Sequence, residues 1–266
     1  MFNNDPRQPD RFEASPPPNG SGQANNPTPW LRTAATPGAI SGPVATVHEG
    51  FLTMSFVWMF LGLLASAGAG AFTLANPAFL QTVAQDFFLF LIAELALVFI
   101  VSLGINRLGA VPALGLFFAY ALLNGVTISL IVYAYASDPV VGVQGVVSAF
   151  LGASAIFGTA ALYGIVTRRD LTGLGGILTM GLVGLLVVMM LQLFFFQSSS
   201  TFSLLIGIVG VVLFTGLTAF DVQRIQKGRF AWIRNRESAS VIGALQLYLD
   251  FVNLFLMMLR IFGSRN

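Results

Sequence analysis

The chain has 266 residues, of which 56% are hydrophobic and 9% charged, with mean hydropathy +0.81 and formal net charge +2. Soluble domains carry about 25% charged residues, so this composition excludes an ordinary water-soluble domain and predicts a chain solvated by lipid over most of its length. The weakly basic balance does not point to nucleic acid, because the basic residues fall between the apolar stretches, and the absence of cysteine excludes disulfides, thiolate chemistry and cysteine metal sites.

Residues 1–48 contain FEASPPPNGSGQANNPTPW, rich in Pro, Gly, Asn and Ser and without apolar periodicity. Such a stretch cannot bury enough surface to offset its conformational entropy, so a disordered cytoplasmic tail is expected there. It has no apolar run followed by a small-residue cleavage site, which argues against a secretory signal. Residues 49–266 form the second region, an all-α, multi-pass transmembrane domain.

Seven apolar segments follow the tail, at 51–74, 87–106, 112–136, 140–166, 173–196, 202–222 and 240–262. Each is near or above the ~20 residues a helix needs to cross a bilayer. Turn chemistry separates them: Asn76-Pro77, Gly109 to Pro112, Asp138-Pro139, Arg168-Arg169-Asp170, Gln197 to Thr201, and the polar run Gln223 to Ser238. The short break at Asp138-Pro139 predicts a tight hairpin of segments three and four.

Eleven of the thirteen Lys and Arg residues lie in the tail and the loops after segments two, four and six. The three opposite loops hold none. The positive-inside rule therefore predicts a cytoplasmic N-terminus and, with seven spans, an external C-terminus. Arg260 and Arg265 dissent, and a re-entrant last segment would accommodate them.

Two aspartates stand inside the last two segments: Asp221 in GLTAFDVQRI and Asp250 in LQLYLDFVNLF. A charged carboxylate at membrane depth costs roughly 2.5–3.5 kcal/mol or more, so it neutralises, pairs or lines a wet path. With this orientation both fall between the cytoplasmic surface and the midplane, on the same side as Arg107. Glu94, on the outer half of segment two, is the third membrane-depth carboxylate.

On segment seven, Gly243, Gln246, Asp250, Asn253, Met257 and Arg260 follow at helical spacing and share one face, which should point into the bundle. For Gln246 and Asn253, interhelical hydrogen bonding is at least as good an explanation as function. On segment six, Gly207, Gly210, Thr218 and Asp221 share a broad face, with Gly216 opposite. Small residues there let segment seven approach, although capping or pairing with Arg224 would also explain Asp221. On segment three, Tyr120, Asn124 and Thr127 make a stripe suited to a pore lining or to core hydrogen bonds.

FAYALLNGVTIS, FTGLTAFDVQRIQ and GALQLYLDFVNLFLMMLRIFG, in segments three, six and seven, resemble the transmembrane Bax inhibitor motif family over residues 45–266. The resemblance implies seven helices with the last one central, wrapped by the other six. It also implies a bacterial pH-sensitive calcium leak channel, not an enzyme and without a cofactor, calcium being the transported ion. Asp221 and Asp250 match the aspartate pair that forms the family's pH sensor. Arg107 matches the latching arginine of helix two, and Glu94 the glutamate of its conduction path. Asp221, Asp250, Glu94 and Asn124 would offer transient calcium ligands, and Gln246 and Asn253 would join the pathway. Two carboxyls in a poorly hydrated site cannot both ionise cheaply, so the pair would share a proton, and its gain or loss would shift a closed–open equilibrium. The chain departs from the family in its Pro-rich N-terminus and lacks a charged C-terminal tail.

Rival readings have weaker residue support. An intramembrane aspartyl protease carries Gly-x-Gly-Asp where this chain has Tyr248-Leu249-Asp250. A rhomboid-type protease needs an intramembrane histidine, and His48 precedes segment one; a retinal protein needs a lysine in its last helix, and Lys227 is in a loop. A proton-coupled cation transporter remains open. So does a non-transporting scaffold, for which Gly62, Ser66 and Gly70 of segment one would offer a small-residue docking face as readily as ordinary internal packing.

Overall fold

In a computed structural model of the chain, residues 49–104, 109–195, 200–229 and 236–264 are described, and they form helices joined by short turns with no strand among them. The expected tail, His48 and Arg107 lie outside the described residues. The elements are α1 (Glu49–Ala75), α2 (Pro77–Gln85), α3 (Phe87–Gly104), α4 (Ala110–Ala136), α5 (Gly142–Val166), α6 (Gly175–Phe195), α7 (Ser200–Gln226) and α8 (Arg236–Gly263). A 3-10 turn, Leu171–Leu174, leads into α6.

Six of these helices are long and apolar enough to cross a membrane, and the count reaches seven when α2 and α3 are taken as one broken span. The protein is an all-α, multi-pass membrane protein. The second segment corrects the expected single span at 87–106. Pro77 opens a separate α2, which the fixed φ of proline suits at a first helical turn. Asp86 then ends α2 through its N–H to Thr82 O and starts α3 through its carbonyl, which accepts from Leu89 and Phe90. The two helices meet at 77°.

The last helix is the centre of the bundle. In its most apolar window 67% of α8 is buried, against 11–39% for the other five straight spans. It packs against α1, α4, α5 and α7. α1, α4, α5 and α7 make most of the wall around α8, while α3 packs on α4 and α6 on α7, with α6 reaching α8 through Gln192 and Arg260. Leu247, Tyr248, Leu254 and Leu259 are fully buried there. Apolar side chains such as Phe88 and Phe99 of α3, Ile177 of α6 and Val212 on the outward face of α7 are exposed, where lipid would meet them.

Two helix ends differ from the expected polar run Gln223 to Ser238. α7 continues to Gln226 and α8 begins at Arg236. Gln223 stays helical because its side chain is buried and bonded, as described below. Gly228, at φ +60°, then ends α7 in a Schellman turn: Gly228 N–H donates to Ile225 O at 3.0 Å and Arg229 N–H to Arg224 O at 3.1 Å. Between α4 and α5 the expected hairpin forms. Asp138 Oδ1 accepts from the N–H groups of Val140 and Val141, and these bonds hold its carboxyl below the usual range.

Candidate functional site

α7 and α8 run antiparallel in close contact, and glycines make this possible. A Cβ on Gly207 would stand 2.8 Å from Ile261 Cγ1 and 3.2 Å from Met257 O. Gly210 faces the side chain of Met257, while at the other end a Cβ on Gly243 would lie 3.3 Å from Ile225 Cδ1. Asp221 and Asp250 fall between these two contacts. Both are buried, at 8% and 6% exposure, on two helices packed against each other. Arg224 lies one turn beyond Asp221 on α7. Among the described residues, Asp250 Oδ2 and Gln246 Oε1 have no hydrogen-bond partner. Asn253 lies half-buried on the same face of α8.

Glu94 and Asn124 belong to a different cluster. Asn124 Nδ2 donates to Glu94 Oε2 at 3.1 Å, and Tyr248 OH donates to Asn124 Oδ1 at 2.8 Å. Ser66 Oγ lies 2.6 Å from Tyr248 OH and 2.7 Å from Ala121 O. Buried groups of α3, α4, α8 and α1 thus form one chain, with Glu94 Oε1 left without a partner among the described residues. Tyr248 precedes Asp250 by two residues, which puts the two on opposite sides of α8. No group of three or more His, Cys, Asp or Glu residues able to hold a metal occurs among the described residues. The expected ligand set is therefore divided: Asp221 and Asp250 on one side of the central helix, Glu94 and Asn124 on the other. Tyr120 packs edge-on to Tyr248, with ring centroids 5.8 Å apart, and Thr127 Oγ1 donates to Leu123 O at 3.2 Å.

Tyr248 was not among the expected site residues, because spacing of three and four residues from Asp250 passes it by. Its hydroxyl gives a direct prediction. Tyr248→Phe leaves Asn124 Oδ1 buried without its donor, at a cost of about 1–3 kcal/mol. Chemical unfolding in mixed micelles measures it, and an unchanged midpoint contradicts the hydrogen-bonded chain.

Gly62, Ser66 and Gly70 of α1 face α4. A Cβ on Gly62 would lie 2.9 Å from Phe117 Cε1, and one on Gly70 would lie 3.2 Å from Gly125 O. These small residues are used inside the bundle, which removes them as a docking face for other membrane proteins.

At the end of α7 nearest Asp221, the α5–α6 connection is sutured down. Gln223 Nε2 donates to Arg169 O at 2.8 Å, and its Oε1 accepts from Leu171 N–H at 2.9 Å. Asp170 accepts from Thr172, Lys227 Nζ at 3.3 Å and Arg229 Nη2 at 3.1 Å. Gln223 was expected in a loop, as the first residue of the polar run Gln223 to Ser238, and nothing in the sequence pattern marked it as buried. The Thr172 and Arg229 contacts hold the Asp170 carboxyl well below the usual range. A depressed carboxyl contributes stability above its unfolded value and loses it as pH falls through the folded one. Wild type and Asp170→Asn should therefore differ equally in stability at pH 8 and pH 5, with the difference shrinking only below about pH 4. A difference that vanished between pH 7 and 5 would contradict this.

Arg260 lies in α8, on the segment where its spacing placed it. α8 runs unbroken through it, which argues against a re-entrant last segment, and Arg260 Nη1 donates to Gln192 Oε1 of α6. A cation in the last turn of a helix also suits the helix dipole.

Residues 48–266 match the family model described as inhibitor of apoptosis-promoting Bax1. The inner membrane protein YbhL of Escherichia coli K12 is 35% identical over 223 residues, 81% of this chain and 92% of that one. An uncharacterised protein of Deinococcus radiodurans is 38% identical over 218 residues, covering 81% and 91% of the two chains. Another from Borreliella burgdorferi is 38% identical over 228 residues, covering 82% and 94%. With a family match across its whole helical region and these relatives at such coverage, the chain belongs to the Bax inhibitor family.

Proposed function

We propose that the protein is a pH-sensitive calcium leak channel of the bacterial inner membrane, gated by Asp221 and Asp250, with its N-terminus in the cytoplasm. It performs no catalysis and needs no cofactor. The observation that carries this reading is the pair of buried carboxyls, Asp221 and Asp250, on the closely packed helices α7 and α8, one of them with an oxygen that has no hydrogen-bond partner among the described residues. Two like charges so placed repel, and proton uptake relieves the repulsion. The helices are then held in different arrangements at different pH, which is how a local charge change biases a two-state element. Calcium favours six to eight oxygens. Two carboxylates and nearby amides make a weak site, and a leak needs a site the ion can leave. Arg107 keeps its expected role as latch on Asp221 within this proposal.

Orientation has its own support. Gln223 and Asp170 draw Arg168, Arg169, Arg224, Lys227 and Arg229 to one end of the bundle, as the positive-inside rule requires of the cytoplasmic end. The relative from E. coli is named an inner membrane protein, which supports the same location here.

The test is calcium uptake into liposomes holding the purified protein, stepped from pH 6 to pH 8. Protein-dependent flux that varies with pH supports the channel, and no flux at any pH rejects it. The chain of Glu94, Asn124, Tyr248 and Ser66 favours one other reading, a proton-coupled cation transporter, since buried carboxyl–hydroxyl chains also relay protons. Flux that requires an opposing proton gradient selects the transporter.

A further inference from the structure

Two recesses stand one above the other along α7. The first is a cavity of about 400 Å³ at the end of the helix, lined by Arg224, Lys227 and Arg229, by Phe220, and by the bare backbone of Gly175 and Gly176. A Cβ at Gly176 would meet nothing within 4 Å, so that wall is open to a ligand. Lys227 and Arg229 share one carboxylate there, Asp170, which is itself 57% exposed, and Arg224 completes the basic wall. The second recess is an apolar groove of about 550 Å³ walled by α5 and α7, with Ala155, Thr159, Tyr163, Gly216 and Ala219 along it. The hydroxyls of Thr159 and Thr215 are bonded back to their own helices, to Ala155 O at 2.8 Å and to Val211 O, so the groove presents little unsatisfied polarity.

The spacing of the two recesses is informative. From Gly216 to Lys227 is eleven residues, roughly 16 Å along a helix, about the span from a headgroup phosphate into the upper acyl region. The cationic recess lies where α7 leaves the bilayer, and the apolar one at membrane depth. A soluble anion has no use for the groove, and a neutral lipid none for three cations.

We propose that the two recesses together bind an anionic phospholipid. Its phosphate sits among Arg224, Lys227 and Arg229, and an acyl chain lies in the groove over Gly216 and Ala219. Arg and Lys hold phosphate oxygens by charge-assisted hydrogen bonds, and anionic lipid is concentrated in the cytoplasmic leaflet. Asp170 competes with the phosphate for Lys227 and Arg229, so it tempers affinity. The site ends one turn from Asp221, which would make the lipid sensitive to the state of the gate. The proposal does not rest on the channel reading, because binding alone tests it.

The experiment uses the full chain in neutral detergent, titrated with phosphatidylglycerol or phosphatidylcholine and read by native mass spectrometry, with inorganic phosphate as competitor. Phosphatidylglycerol should bind in preference to phosphatidylcholine. Each basic residue at a membrane surface contributes about 1 kcal/mol, so Lys227→Gln with Arg229→Gln should weaken binding about thirty-fold. Asp170→Asn should tighten it, the opposite of what a merely structural clamp would give. Thr159→Trp, which fills the groove from its exposed rim, should weaken the lipid without changing competition by phosphate. Equal affinity for the two lipids overturns the proposal, as does tighter binding that fails to appear in Asp170→Asn. Full displacement by phosphate together with an ineffective Thr159→Trp identifies a soluble-anion pocket and overturns the lipid assignment.

Discussion

Asparagine in place of Asp250 is expected to abolish the change in calcium flux between pH 6 and 8 while leaving the fold at least as stable as wild type. Asp250 sits in the most buried of the spanning helices described, with one carboxyl oxygen unpartnered among the described residues and the buried Asp221 on the helix packed against it. A lone ionised carboxylate at membrane depth costs roughly 2.5–3.5 kcal/mol or more, and a second one nearby adds repulsion. The pair therefore holds fewer than two charges when the helices are closed and gives up protons as water reaches it. Asparagine keeps the shape of the side chain, removes its acidity, and adds a donor beside the unpartnered Gln246 Oε1. Flux and thermal midpoint are measured on the same preparation, so that loss of response is not confused with loss of protein. If Asp250→Asn retained the wild-type pH profile, the sensor would lie elsewhere. Glu94 would be the next acid to replace, since it is buried on the other side of α8. Asp221→Asn should flatten the response in the same way, because either substitution leaves a single acid without the second carboxyl that shares its proton.

The parts of this arrangement that were legible in the sequence are those governed by helical spacing and charge. Asp221 and Asp250 stood out because charge is scarce in their segments, and Gly207 and Gly210 because small residues at helical spacing admit a neighbouring helix. Periodicity also put the polar face of α8 inside the bundle. What escaped depends on long-range partners. Tyr248 looks like any interfacial aromatic until Asn124 and Ser66 are brought to its hydroxyl from helices over a hundred residues away. Gln223 reads as the start of a polar loop until the backbone of Arg169 and Leu171 is laid against it. Helix α2 escaped because Gln81, Thr82, Gln85 and Asp86 make the stretch before Phe87 read as part of the connection and not as half of a bent span. The division of acids into two clusters was invisible for a related reason. Spacing along one helix orders its faces, but it does not say which neighbour each face meets.

Gly125→Val should remove the folded protein altogether, the largest effect expected of any single substitution outside the acids. The α1–α4 crossing is so close that a Cβ at Gly125 would stand 2.7 Å from Ser66 Cα and 2.8 Å from Ser66 C. These are backbone atoms, so no rotamer change relieves the collision and the two helices must separate. Overpacking that side chains can absorb already costs 1–3 kcal/mol. Here the separation also pulls Ser66 away from Tyr248 OH and Ala121 O, and each buried group left unpaired adds about 1–3 kcal/mol. The sum approaches the 5–15 kcal/mol that holds a typical protein folded. Gly158 on α5 is the matched comparison. A Cβ there meets nothing within 4 Å, so Gly158→Ala should be neutral or stabilising by up to about 1 kcal/mol through helix propensity. Yield of monodisperse protein and thermal midpoint read both variants. A Gly125→Val protein with a wild-type midpoint would mean that α1 and α4 do not cross at Ser66, and the hydrogen-bonded chain from Ser66 to Glu94 would fall with that crossing.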